Sequence, residues 1–127
     1  MTRLVLDAGA LIALEQNDRS LWAALKITAS QSGDVVVPST ALAQAWRGGA
    51  KQAILARALE HCVIASFDDV AKVVGELCGR TRTRDVCDAH VALVASLRGD
   101  VLYTSDPEDL GPLVRACGRR RPTILRC

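Results

Sequence analysis

Two rhythms of apolar and polar positions alternate along the chain. Short, mostly apolar runs recur at 3–6, 35–37, 62–65, 101–104 and 123–125. They are too short for helices, and the central one, Val35-Val36-Val37, is wholly β-branched. Runs of this kind predict strands, and an uninterrupted apolar run predicts burial on both faces of a sheet. Longer segments with helical spacing lie between them, at 8–15, 19–30, 40–47, 50–60, 67–78, 85–97 and 108–117. Turn residues punctuate the pattern. Gly33-Asp34 precedes the second strand, Pro38-Ser39 closes it with Ser39 placed to cap the next helix, and Gly48-Gly49, Gly79 and Gly99 stop helices. The segment 80–84, Arg-Thr-Arg-Thr-Arg, reads as a basic loop and 118–121 as a basic turn. Strands separated by helices imply βαβ units and a mostly parallel sheet.

In such a sheet, ligands bind beyond the carboxyl ends of the strands. The residues there are Asp7, Pro38-Ser39, Ser66 and Ser105-Asp106. Two strands thus deliver a carboxylate to the same edge. Each aspartate also has an ordinary role as the cap of the helix that follows. Asp88 is harder to account for, because it opens a helix whose other residues are mostly apolar. Asp85 and Asp88 are three apart and share one side of that helix, and Asp109 stands in the same relation to Asp106. For Asp85 and Asp88 the alternative is a cap and a first-turn acid favoured by the helix dipole.

Carboxylates that converge repel one another unless a cation lies between them. An all-oxygen set suits Mg²⁺ or Mn²⁺ better than zinc. Such an ion can activate water and stabilise charge on a phosphate during in-line attack. Arg80, Arg82 and Arg84, and the run Arg119 to Arg121, are candidates for a basic rim that holds a nucleic-acid backbone. Their alternative is a solvated surface. His90 lies two residues after Asp88 and therefore faces elsewhere, which predicts a packed or partly exposed ring and no role as a base.

Composition narrows the picture. The 127 residues are 50% hydrophobic and 24% charged, which suits one globular domain spanning 1–127 with a real core. Net charge is +2, and thirteen of the sixteen basic residues are arginine, since lysine occurs only at 26, 51 and 72. With two Trp, one Tyr and one Phe, the core must be aliphatic, and base stacking is not the main means of gripping nucleic acid. The five cysteines are odd in number and lack C-x-x-C spacing, so they predict free thiols in a reducing cytosol and no zinc site. No apolar run is long enough for a membrane span, and no segment reads as a signal peptide. Gly48-Gly49 lacks the P-loop pattern. A phosphoacceptor domain is disfavoured, because Asp7 is not one of a pair after the first strand and Arg126, not lysine, follows the last.

The sequence resembles PIN-domain proteins, and among them the VapC-type ribonuclease toxins of toxin–antitoxin pairs. The resemblance runs nearly end to end. It rests on Leu4-Val5-Leu6-Asp7-Ala8-Gly9-Ala10-Leu11, Val37-Pro38-Ser39-Thr40-Ala41-Leu42-Ala43, Asp85-Val86-Cys87-Asp88-Ala89 and Tyr103-Thr104-Ser105-Asp106-Pro107-Glu108-Asp109-Leu110, in that order. It implies a three-layer α/β/α sandwich and a toxin that cleaves RNA such as tRNA or rRNA with Mg²⁺ or Mn²⁺. Asp7, Asp88 and Asp106 fall on the family's catalytic, metal-binding aspartates, and Asp109 on a further assisting acid. It also implies a homodimer, and a cognate antitoxin whose C-terminal segment enters the active-site groove. One position departs from the pattern. The family commonly carries a glutamate six residues beyond the proline, where this chain has Gln44. No acid lies between Asp34 and Glu60 to replace it. Gln44 can hydrogen-bond a metal-bound water but brings no charge. The alternative implied is a catalytically weakened or inactive relative that binds RNA or antitoxin.

Overall fold

The computed structural model describes residues 3–118 and 120–127. Five strands form one sheet: β1 (Leu4–Leu6), β2 (Val35–Pro38), β3 (Cys62–Ala65), β4 (Val101–Thr104) and β5 (Thr123–Arg126). Their order is β3-β2-β1-β4-β5, and every neighbouring pair is parallel. Seven α-helices make the connections: α1 (Ala8–Glu15), α2 (Arg19–Ser30), α3 (Ser39–Ala45), α4 (Ala53–Leu59), α5 (Ala71–Thr81), α6 (Val86–Ser96) and α7 (Pro107–Ala116). The result is a three-layer α/β/α sandwich.

Alternation along the strands divides the core in two. Val5, Val36 and Leu102 pack with residues of α5, α6 and α7 on one face of the sheet. Leu4, Leu6, Val35 and Val37 pack with α1, α2 and α4 on the other. Each central strand is therefore apolar on both sides, as its continuous run requires. The edge strand β3 is only half covered, with Val63 and Ile64 exposed.

Several element boundaries differ from the sequence reading. Ser39 does not cap α3. It is the first residue of that helix, and its Oγ accepts from Phe67 N at 3.0 Å, tying the β2 exit to the β3 exit. The segment 50–60 opens with a 3-10 turn before α4, and 67–78 opens with another before α5. Gly79 lies inside α5, which runs on through Arg80 and Thr81 and stops where Arg82 takes φ +58°. Only the last part of the expected basic loop is therefore a loop. A five-residue run of alternating Arg and Thr carries no helix breaker, and α5 propagates into it until the left-handed residue ends it.

Candidate metal centre

Strand order reverses direction around β1. The chain steps outward through β2 and β3, then crosses back to β4 and β5. The carboxyl ends of β1 and β4 flank this switch point, where an open parallel sheet leaves a crevice. Asp7 leaves β1 there and Asp106 leaves β4.

Asp7 is 6% exposed. Its Oδ1 accepts from Ala10 N at 2.9 Å, so the carboxylate does cap α1. Its Oδ2 accepts from Thr104 Oγ1 at 2.5 Å. Thr104 in turn accepts from Asp106 N at 2.9 Å. One fully buried hydroxyl thus joins the two strand ends. Burial pushes the Asp7 carboxyl above its ordinary range, the Thr104 and Ala10 bonds pull it back, and the charge of Asp106 pushes it up again. Asp106 occupies the N-cap position of α7, yet its side chain makes no capping bond. It is exposed and keeps its oxygens for another partner.

Asp85 caps α6, accepting from Asp88 N at 2.9 Å. Asp88 sits half-buried in the first turn, and its carboxyl is pushed up to about 7. Burial is the largest cause, followed by the charge and hydrogen bond of Asp85, then the charges of Asp7 and Asp109. Asp85, Asp88 and Asp109 line one cleft of about 280 Å³ with Thr81 and Thr83. The acids thus share one negative field: Asp106 acts on Asp7, while Asp7 and Asp109 act on Asp88.

Among the described residues, no three His, Cys, Asp or Glu side chains stand close enough together to form a closed ligand set. The donor chemistry nevertheless fits a hard cation. The donors are all carboxylate oxygens, and Asp7 and Asp88 are partly dehydrated and pushed up by burial and by neighbouring carboxylates. Mg²⁺ commonly uses one or two carboxylates and keeps several waters. Asp7 with Asp106, or Asp88 with Asp109, are the pairs that would hold such an ion.

The other candidates fall in different places. Gln44 is exposed on α3, which packs against α6, and its side chain has no hydrogen bond among the described residues. Arg80 donates to Ala116 O at 3.5 Å, and Arg82 and Arg84 are exposed just ahead of Asp85. The basic turn is not part of this rim. Arg120 lies at the opposite edge of the sheet, in a cleft with Arg3, Arg98 and Asp100. Arg119 lies outside the described residues. His90 is fully buried, not partly exposed: Nδ1 bonds Thr40 Oγ1 at 2.8 Å and the ring meets Phe67 edge-on at 5.3 Å. Burial holds its pKa below the ordinary value. The five cysteines are half-buried thiols that form no disulfide with one another. Sequence reasoning did not single out Thr104, although it stands two residues before Asp106 in a Thr-x-Asp run. Its signal was a polar residue at the end of an apolar strand.

The fold class is thus a parallel α/β sandwich that collects acids at its switch point. Neither the family models nor the curated proteins give a match to the chain. Among solved structures, it is similar to a chain of the crystal structure of VapBC2 from Rickettsia felis bound to a DNA fragment from their promoter. The two share 15% identity and a TM-score of 0.71, over 99% of this chain and 99% of that one. Likeness at this identity establishes the shared fold. No described helix is long and apolar enough to cross a membrane.

Proposed function

We propose that this chain is a metal-dependent endoribonuclease and the toxin of a toxin–antitoxin pair. The observation that carries the reading is that Asp7 and Asp106 leave adjacent parallel strands at the switch point, while the charges of Asp7 and Asp109 both reach Asp88. Such an arrangement is unfavourable alone and favourable around a cation. The full-length likeness in fold to a chain of a VapBC2 complex supports the toxin assignment and the expectation of an antitoxin partner.

The residues divide the work as follows. Asp7, held rigid by Thr104 and the α1 amide, is the fixed ligand. Asp106, free of any capping bond, is the ligand from the neighbouring strand. Asp88, with a carboxyl pushed up to about 7, completes the metal site or accepts a proton near neutrality, with Asp109 beside it. A bound Mg²⁺ or Mn²⁺ supplies Lewis acidity toward a phosphodiester. In this reading Arg80, Arg82 and Arg84, just ahead of Asp85, take the backbone of an RNA strand such as tRNA or rRNA. Exposed Val63 and Ile64 on the edge strand β3 are an apolar surface that a second copy can cover, in keeping with a homodimer.

A second reading is a weakened or inactive relative that binds RNA or antitoxin. Gln44 favours it, because the position expected to add a charge carries none. Cleavage of labelled tRNA and rRNA in Mn²⁺ or Mg²⁺, with EDTA as control, separates the two. Loss of cutting in Asp7→Asn and in Asp88→Asn supports catalysis, whereas unchanged cutting in both variants sinks the site assignment. Gln44→Glu should tighten Mn²⁺ binding by calorimetry, and no tightening means that Gln44 does not face the metal.

A further inference from the structure

We propose that the groove between α2 and α4 is a second RNA-binding surface, taking the backbone of a single-stranded segment away from the acidic centre. The proposal rests on the ribonuclease reading only in choosing RNA as the polyanion. The groove has a volume of about 630 Å³. Arg19, Trp22 and Lys26 line it from α2, and Ile54, Arg57 and His61 line it from α4 and the turn beyond. Arg19, Trp22 and Lys26 have the spacing i, i+3, i+7, and Ile54 and Arg57 the spacing i, i+3, so each set lies on one face of its helix, and His61 joins from the turn after α4. Two helices therefore turn one face each into the trough.

The charge is one-sided. The chain has fourteen acidic residues, yet no carboxylate lines this groove. Arg19, Lys26, Arg57 and His61 are all exposed, and none of their side chains forms an ion pair or hydrogen bond among the described residues. Surface cations are usually scattered among acids. Here Arg19, Lys26 and Arg57 stand together without an ion pair among the described residues, as a phosphate backbone requires. Trp22 supplies a second feature. Its Nε1 donates to Leu14 O at 3.1 Å, which fixes the half-buried indole and leaves ring surface on the groove wall. A fixed ring between unpaired cations is the usual way to hold single-stranded nucleic acid without reading its sequence. An acidic amphipathic helix is the competing occupant. It needs a row of apolar pockets, whereas the apolar lining here is Trp22, Ala23 and Ile54.

The test uses the full chain in EDTA, so that binding is read without cleavage. A short fluorescein-labelled oligouridylate is titrated by polarisation over a range of salt concentrations. The variant Arg19→Glu/Lys26→Glu/Arg57→Glu should bind at least about tenfold more weakly, and its log–log salt slope should fall by about 2, since each phosphate of a single strand that is no longer neutralised lowers it by about 0.7. Arg57→Gln alone should lower the slope by about 0.7. In a Trp46→Phe background the oligonucleotide should quench Trp22 fluorescence. Circular dichroism confirms that the variants fold. Unchanged affinity and slope in both variants overturn the proposal. So does a groove that binds oligoglutamate and is not competed by oligouridylate, because the partner is then a protein. Either result leaves the cleavage assay to decide the ribonuclease reading separately. Groove binding without cleavage in Mn²⁺ would sink only that reading.

Discussion

Thr104 shows how much one hydroxyl can organise. It donates to Asp7 and accepts from the Asp106 amide, with no exposure to water. Thr104→Val keeps the shape but strands a buried carboxylate oxygen and an amide. It should destabilise the protein by about 1–3 kcal/mol in urea unfolding, whereas Thr104→Ser, which keeps the hydroxyl, should avoid most of that loss. Asp88 carries the second prediction at this scale. Its carboxyl is pushed up to about 7 in the fold against 3.8 ordinarily. Between those values the native state binds more protons than the unfolded chain, so this group's contribution to stability falls as pH rises. In EDTA, Asp88→Asn should therefore gain stability relative to the parent above about pH 7, and the gain should vanish below the ordinary carboxylate range. An NMR titration should place the Asp88 carboxyl near 7 in EDTA and move it down with Mg²⁺. An unmoved titration would mean that the metal does not reach Asp88.

At the scale of elements, the decisive contact is between α1 and the β4–α7 turn. A Cβ on Gly9 would lie 2.0 Å from Ser105 Oγ and 2.8 Å from its Cβ. Only glycine lets the helix that Asp7 caps approach the turn that carries Asp106. A rotamer change at Ser105 could move the hydroxyl but not the Cβ, so α1 must shift. Gly9→Ala should cost about 1–3 kcal/mol by overpacking, against the gain of up to ~1 kcal/mol that alanine usually brings to a helix. Adding Ser105→Gly should recover much of the loss. Metal affinity read by calorimetry should follow the same order, since the two acids separate when the helix moves.

For the whole molecule, the sheet joins its two cores. β1 and β2 contribute alternate residues to each face, so neither helical layer can leave without exposing the other. One cooperative unfolding transition is the expected outcome. Far-ultraviolet circular dichroism and fluorescence from Trp22 and Trp46 should give coincident urea curves. Separate midpoints would show that the layer formed by α1, α2 and α4 unfolds independently, contrary to a single domain over 1–127.

The local elements were legible in the sequence because their causes are local. The helices 8–15 and 19–30 and the strand 62–65 match the structure to the residue, since periodicity, caps and turn residues act within a few positions. At Ser39 the boundary was misplaced by a longer-range contact. Ser39 looks like a cap in the sequence, but the Phe67 amide takes its hydroxyl. Asp7 and Asp106 were readable as strand-end acids, because a parallel sheet sends all its carboxyl ends one way. Strand order was not readable, and it is strand order that puts β1 beside β4 and lets Thr104 bridge them. Nor could the sequence sort the arginines: Arg80 to Arg84 precede the acidic helix, while Arg120 lies at the far edge of the sheet. The sequence by itself determined which residues form strands and helices and which acids follow them. Only the tertiary structure decided which of those acids share a field, because burial and Coulomb repulsion depend on distances that chain spacing does not set.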